Sequence, residues 1–148
     1  MFHLTKKLEY SLLAFSYMAQ LLPESRWVTA KEISDHYQIP YEVVARCLQH
    51  LARAGVLHSW IGAQGGYRLK AGWEKKSLLE LYEILEGPMN LVRCLDHDGD
   101  CSHVARCTLP VLMRPLNQKL KKFFQDLVLR DVLNLKEVIN ESKVTTPS

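Results

Sequence analysis

The stretch over residues 29–70 carries the signals that constrain the fold of this chain most strongly. Thr29 and Glu32 form a capping-box pattern, which predicts that a short helix begins there. A tight turn follows, and Pro40 is predicted in the first turn of a second helix over about 41–54. Two short helices joined by so tight a turn are typical of a helix-turn-helix.

The second helix of this pair is predicted to be amphipathic, and a β-hairpin is predicted after it. Gly55 is well placed to end the helix in a left-handed conformation. Two alternating segments, 56–60 and 67–70, are joined by a glycine-rich link and predict the hairpin. The apolar face of the helix comprises Val43, Val44, Cys47, Leu48 and Leu51, and its polar face comprises Glu42, Arg46, Gln49 and Arg53.

This order of elements predicts a winged helix-turn-helix, whose second helix enters the DNA major groove while the hairpin touches the backbone or minor groove. The same order also occurs in other small α+β domains, where the polar face is an ordinary solvated surface. The uneven distribution of charge along the chain favours the DNA-binding interpretation. Residues 1–77 carry ten Lys/Arg against six Asp/Glu, whereas residues 78–148 carry nine against ten.

The flanking segments are predicted to be helical as well. Amphipathic patterns over 5–21 and 77–86 each predict a helix, and a long terminal helix is predicted from about Leu109. Its apolar seam suits packing against a second copy of the chain, with folding back over its own domain as the alternative. The seam comprises Leu112, Leu116, Leu120, Phe123 and Leu127.

The predicted fold class is therefore mainly α with a small β-wing. Residues 1–76 are assigned to a winged helix-turn-helix domain, and 77–108 to a linking helix and cysteine-rich loop. Residues 109–140 are assigned to a dimerisation helix, and 141–148 to a flexible tail.

Composition limits the classes of function. The 148 residues are 47% hydrophobic and 24% charged, which is typical of a soluble globular protein. No apolar run reaches the roughly 18 residues that a membrane span needs. The N-terminus lacks a signal-peptide pattern, so a cytoplasmic location with reduced thiols is expected. No P-loop, GxSxG or HExxH motif is present, and an enzyme is therefore not expected.

Three cysteines, Cys94, Cys101 and Cys107, stand close together in an Asp- and Gly-rich segment. Intervals of six and five residues are long for a zinc ribbon. Thiolates spaced through a loop suit an iron–sulfur cluster better, and His97 and His103 could also be ligands. Cys47, on the apolar face of its helix, is expected to be a small buried hydrophobe.

Taken together, these residues resemble the IscR/NsrR/RirA-type winged-helix regulators, also called the Rrf2 family. The resemblance covers nearly the whole chain. Its most specific parts are the sequence GGYRL in the wing after a helix ending in AGVL, the sequence LEG before the loop, and the cysteine triplet. It implies a homodimeric transcription factor whose three loop cysteines hold a 2Fe–2S or 4Fe–4S cluster.

The fourth ligand varies in the family that the chain resembles. Some members use a carboxylate near the N-terminus of the other subunit, and Glu9 matches that position. Others use a histidine three residues after the last cysteine, where this chain has Pro110. Glu9 in trans is therefore the first choice, and His97 or His103 is the second.

Two features depart from the family pattern. The first cysteine interval is one residue longer than the commonest spacing. Many members also carry an arginine just before the first glycine of the wing, and this chain has Ile61 there. Contact with the minor groove is then expected to pass to Gln64 or Arg68, or to be weaker.

The leading hypothesis is a cluster-dependent regulator, acting as a repressor, that binds a palindromic operator in double-stranded DNA. Arg46 and Gln49 are predicted at base edges. The alternatives are a transcription factor with direct thiol sensing and an iron–sulfur or other metal-carrying protein with no DNA target. The full set of predicted DNA contacts is Lys31, Tyr41, Glu42, Arg46, Gln49, Arg53, Gln64, Gly65, Arg68 and Lys70, with Lys31, Arg53 and Lys70 nearer phosphates.

Overall fold

The computed structural model of the chain describes residues 3–24, 26–95 and 106–134. Its helices are α1 (Lys6–Gln20), α2 (Ala30–Tyr37), α3 (Tyr41–Arg53), α4 (Leu78–Glu86), α5 (Leu109–Asp126) and α6 (Leu129–Val132), and its strands are β1 (Leu57–Trp60) and β2 (Gly66–Leu69). The predicted mainly helical fold with a small antiparallel wing is confirmed. The predictions for Cys101, His97, His103 and the 141–148 tail fall outside the described residues.

The helix-turn-helix forms from the local signals that predict it. The Thr29 hydroxyl accepts a hydrogen bond from the Glu32 N–H at 3.1 Å, which caps α2. Gln38 ends α2 in the left-handed region at φ 55°. Pro40 is the N-cap of α3, with an extended ψ of 119°, so its prediction inside the first turn is wrong by one position. Its ring keeps φ at −60° there, and the chain turns before the helix begins.

The core forms where the apolar face of α3 packs against α1 and α2. Val44, Cys47, Leu48 and Leu51 are each at most 2% exposed. Fully burying a side chain of the leucine class stabilises the fold by about 1.5–3 kcal/mol. Because this face is buried, the opposite face of α3 is left to solvent.

The hairpin is held close to the chain that precedes α2. Val28 and Tyr67 exchange backbone hydrogen bonds of 2.9 and 2.7 Å, which joins β2 to that segment. Gly66 adopts φ +149°, and a Cβ there would lie 2.5 Å from the Val28 carbonyl oxygen. Glycine is therefore required at this close approach of two backbones.

The last helix is shorter than the sequence predicts. A seam continuing through Leu127 implies a longer helix, but α5 ends at Asp126. The Leu78 N–H donates to the Leu127 carbonyl, and the Leu129 N–H donates to the Lys76 carbonyl, both at 2.8 Å. Leu129 is fully buried, so the short segment after α5 packs back on its own chain. The division of the chain into functional segments stays a prediction.

Ser77 and Glu80 form a complete capping box at the start of α4. The Ser77 backbone N–H lowers the pKa of the Glu80 carboxyl.

Within the described ranges, no helix is both long and apolar enough to cross a lipid bilayer.

Candidate nucleic-acid interface and cysteine segment

The exposed face of α3 gathers most of the predicted base-contacting residues. Glu42, Arg46, Gln49 and Arg53 are all exposed and follow each other at steps of four, three and four residues. That spacing places them in one stripe along the helix, opposite the buried face. Tyr41 stands at the N-terminal end of α3 and is 53% exposed. We call Glu42, Arg46, Gln49 and Arg53 the α3 stripe.

The first helix of the motif presents Lys31 to solvent. Its ammonium forms an ion pair with Asp35 at 3.0 Å, one turn further along α2. An exposed pair of this kind contributes less than about 1 kcal/mol to stability. Lys31 can therefore exchange Asp35 for a phosphate oxygen at little cost.

The hairpin places its predicted DNA contacts in different environments. Gln64 at the tip and Lys70 after β2 are exposed, and Gly65 is half-buried in the link between the strands. Arg68 is half-buried, and its guanidinium lies over the Trp27 ring at 4.8 Å. A cation over an aromatic face is held there by about 0.5–1 kcal/mol, and by more when desolvated. Arg68 thus braces the hairpin against the segment before α2.

The hairpin and α3 share one side of the molecule. Tyr67 lies on the face of β2 opposite Arg68, because side chains alternate along a strand. Burial raises the pKa of the Tyr67 hydroxyl, Tyr41 raises it further, and Arg53 lowers it. α3 packs against β1, the strand paired with β2, so the wing lies beside α3.

A hydrogen-bonded brace that the sequence did not reveal fixes α2 against α1. The Glu32 carboxylate accepts from the Arg26 guanidinium at 3.0 Å and from the Tyr17 hydroxyl at 2.7 Å. The Arg26 guanidinium lowers the pKa of the Glu32 carboxyl, and the Tyr17 hydroxyl lowers it further. The three residues come from separate elements, so no local motif signals the brace.

The two described cysteines of the triplet both lie next to α5. Cys94 is half-buried in a single 3-10 turn, Arg93–Leu95, that packs against α5. Cys107 is half-buried directly before Thr108, the N-cap of α5. Both are free thiols. Half-buried thiols flanking Cys101 in sequence are a donor set that fits iron of a cluster.

Asn117 ties α5 to the start of the cysteine segment. It is 6% exposed, its Oδ1 accepts from the Leu91 N–H, and its Nδ2 donates to the Asn90 Oδ1, both at 2.9 Å. Asn117 was not among the residues predicted from the sequence. Its signal was a polar side chain between Leu116 and Leu120 of the apolar seam, where a buried amide is expected to have defined partners.

We expect Asn117→Ala to lower the free energy of unfolding by about 1–3 kcal/mol, since it removes a buried amide and leaves the half-buried Leu91 N–H without its acceptor. Urea unfolding followed by circular dichroism measures the change. Gln118→Ala is the matched control, because Gln118 is an exposed neighbour on the same helix. Equal stability of the two variants would contradict the role given to Asn117.

Glu9 lies on α1 and accepts a hydrogen bond from the Lys6 ammonium at 2.7 Å. Among the residues that the structure describes, no three His, Cys, Asp or Glu side chains form a group that could hold a metal ion. Within a single chain, Glu9 is therefore not gathered with Cys94 and Cys107. Ligation by Glu9 from the other subunit stays a prediction. Pro110 stands in the first turn of α5.

An apolar stripe on α5 faces solvent. Leu120 is half-buried and Phe124 is buried against the core, on the adjoining side of the helix. The exposed side, which we call the α5 stripe, comprises Leu109 (40% exposed), Leu112 (64%), Leu116 (52%) and Phe123 (60%). The predicted seam thus divides between the core of the chain and an uncovered surface.

The chain folds as a protein of the winged helix-turn-helix class, with the α3 stripe exposed on the second helix of the motif. A family model described as "Rrf2: Iron-dependent Transcriptional regulator" matches residues 4–135, and the chain belongs to this family. It is therefore a transcriptional regulator and not an enzyme. Family membership does not support the alternative of an iron–sulfur protein with no DNA target.

Named relatives and solved structures agree with this assignment. The regulator IscR of Vibrio vulnificus (strain YJ016) is 27% identical over 139 residues, covering 94% of this chain and 82% of its own length. NsrR of Shouchella clausii is 28% identical, covering 93% and 89%. The structure of CymR, the global cysteine regulator of B. subtilis, has a TM-score of 0.68 at 21% identity, covering 91% and 98%. That of T. potens IscR has a TM-score of 0.67 at 18% identity, covering 99% and 93%.

Proposed function

We propose that this chain is a homodimeric, cytoplasmic repressor that binds a palindromic operator in double-stranded DNA. It responds to iron, cluster supply or redox state through a 2Fe–2S or 4Fe–4S cluster on Cys94, Cys101 and Cys107, with the partner subunit's Glu9 as fourth ligand. The observation that carries the proposal is the α3 stripe, a polar and basic surface on a helix whose other face is buried.

The α3 stripe supplies the chemistry that base reading needs. Arginine donates two hydrogen bonds to guanine, glutamine pairs with adenine, and a carboxylate accepts from the amino group of cytosine. In this scheme Arg46, Gln49 and Glu42 face base edges. Lys31, Arg53 and Lys70, all exposed, lie nearer the phosphates and set the register of the protein on the duplex.

The α5 stripe is the surface proposed for dimerisation. Four apolar side chains between 40% and 64% exposed leave an apolar surface uncovered along one side of one helix. Packing against the same stripe of a second copy forms a two-fold symmetric contact. Such a dimer places two α3 helices on the two half-sites of a palindrome.

The cysteine segment is connected to α3 through packed elements. The segment follows α4, whose Glu86 accepts from the Lys7 ammonium at 3.2 Å. The thiol of Cys47 in α3 in turn donates to the Lys7 carbonyl at 3.7 Å. When bound, the cluster supplies a centre whose presence and charge depend on iron and oxidants. These contacts, together with Asn117, let a change in the segment bias the arrangement of the two α3 helices.

Replacing Arg46 tests the DNA-reading role. We expect Arg46→Ala to weaken operator binding by roughly 5- to 150-fold, because a bidentate contact to a base contributes about 1–3 kcal/mol of discrimination. Fluorescence anisotropy with the chain's own promoter DNA measures the affinity across a range of salt concentrations.

Lys31→Ala is the matched control for Arg46→Ala, since Lys31 is assigned to a phosphate. It should weaken binding to all sequences evenly and make the salt dependence shallower by about one counterion. If Arg46→Ala binds the operator and random DNA in the wild-type ratio, α3 does not read bases as proposed.

Direct thiol sensing is the second candidate function. It is favoured by the free thiols of Cys94 and Cys107 and by the likeness to S. aureus CymR, for which one solved structure is titled an oxidized form. Under this alternative, cluster-free protein binds the operator fully, peroxide releases it, and a thiol reductant restores it.

A further inference from the structure

The tip of the wing, residues 61–65, presents one almost fully exposed apolar side chain. Ile61 directly follows β1 and is 96% exposed, and its neighbour Trp60 is 54% exposed. Most other exposed large hydrophobic side chains of the described residues lie on α5, while Tyr41 opens α3. Apart from Leu22, such side chains therefore occur on the proposed dimer helix or on the two elements that face DNA.

The tip also lacks charge. Residues 59–67 contain no Lys, Arg, His, Asp or Glu. The next cation along the strand, Arg68, stacks on Trp27 and lies on the strand face opposite Tyr67. An ionic contact from the tip to a groove is therefore not available, which leaves hydrogen bonding by the uncharged Gln64 and apolar contact by Ile61 as the ways in which the tip can bind a groove.

The tip is built to hold its position. The Gly65 N–H donates to the Gly62 carbonyl at 3.0 Å, and the site where a Gly65 side chain would begin is filled by the Trp60 carbonyl. The Trp60 ring packs edge-on against Trp27, with centroids 5.5 Å apart. The turn that carries Ile61 is already fixed in the free protein, so little conformational entropy is lost there on binding.

We infer that Ile61 reads A·T pairs in the minor groove beside each half-site by apolar contact. This rests on the proposed DNA-binding function. The minor-groove floor of an A·T pair carries no amino group, whereas guanine presents its N2 amino group there. An isoleucine side chain accepts no hydrogen bond, so burying it against guanine leaves the N2 amino group without an acceptor. Ile61 would therefore disfavour G·C pairs without contributing to the salt dependence of binding.

The test compares three operators that differ only in the base pairs next to the half-sites. These are A·T, G·C, and inosine·C, which lacks the amino group. We expect wild-type protein to bind A·T and inosine·C alike and G·C about tenfold more weakly. Ile61→Ala should remove this difference and keep the wild-type salt dependence. Ile61→Arg should steepen the salt dependence by about one counterion.

Ser59→Ala is the matched control, since Ser59 is exposed on β1 two residues before Ile61 and is not among the predicted DNA contacts. It should keep the preference against G·C. If Ile61→Ala still binds the G·C operator more weakly, the role of Ile61 is wrong. The same follows if wild-type protein binds its operator selectively but does not distinguish G·C from A·T. Either result leaves the proposed DNA-binding function standing. Wild-type protein that shows no sequence-selective binding overturns the proposed function itself.

Discussion

Leu116→Glu is expected to convert the proposed dimer to a monomer and to weaken operator binding about 100-fold or more, because the second half-site is then no longer bound as part of the same complex. Leu116 lies in the middle of the α5 stripe and is 52% exposed in the single chain. Two carboxylates facing each other across an apolar contact would be buried without partners. Analytical ultracentrifugation measures the mass, and anisotropy titration measures the affinity.

Gln118→Glu is the control for this variant. Gln118 is exposed on the opposite side of α5 from Leu116, so the same charge is introduced outside the stripe. This control should remain dimeric and bind normally. A dimeric Leu116→Glu variant with wild-type affinity would show that α5 is not the dimer contact.

Cys107→Ser is expected to reduce the bound iron and acid-labile sulfide to less than about one tenth of the wild-type content, since cluster iron requires thiolate ligands far more than hydroxyl ones. The half-buried thiol directly precedes the N-cap of α5, so the change removes a donor with little effect on packing. Iron and sulfide analysis of anaerobically purified protein measures the loss.

Cys47→Ala provides the comparison for the cysteine variant. Cys47 is 2% exposed in α3, and burial raises the pKa of its thiol. This variant removes a thiol that plays no part in the triplet and should keep the full iron and sulfide content. Wild-type iron and sulfide in Cys107→Ser would remove Cys107 from the proposed ligand set.

The sequence predicts the DNA-binding half well because its determinants are local. Thr29 caps the helix that starts beside it, and Gly55 takes the left-handed conformation, with φ +78°, that ends α3. The helical spacing of apolar and polar residues in α3 is enough to separate the buried face from the α3 stripe. Each of these signals lies within a few residues of the structure it specifies.

The parts that the sequence did not predict depend on distant partners. The end of α5 is set by backbone pairing with Lys76 and Leu78, about 50 residues earlier in the chain. The brace of Glu32 with Arg26 and Tyr17 needs three elements in place first. No helical pattern contains this information, so the terminal helix was predicted too long and the brace was missed.

We propose that a cluster on the cysteine triplet controls DNA binding by the α3 stripe. The most direct measurement is the operator affinity of one anaerobic preparation, with its iron and sulfide content determined, before and after the iron is chelated. We predict iron with acid-labile sulfide in the starting protein and a change in affinity of about 5- to 150-fold on removal, the usual range for coupling between two sites. Protein without sulfide, or with the same affinity in both states, would contradict the claim.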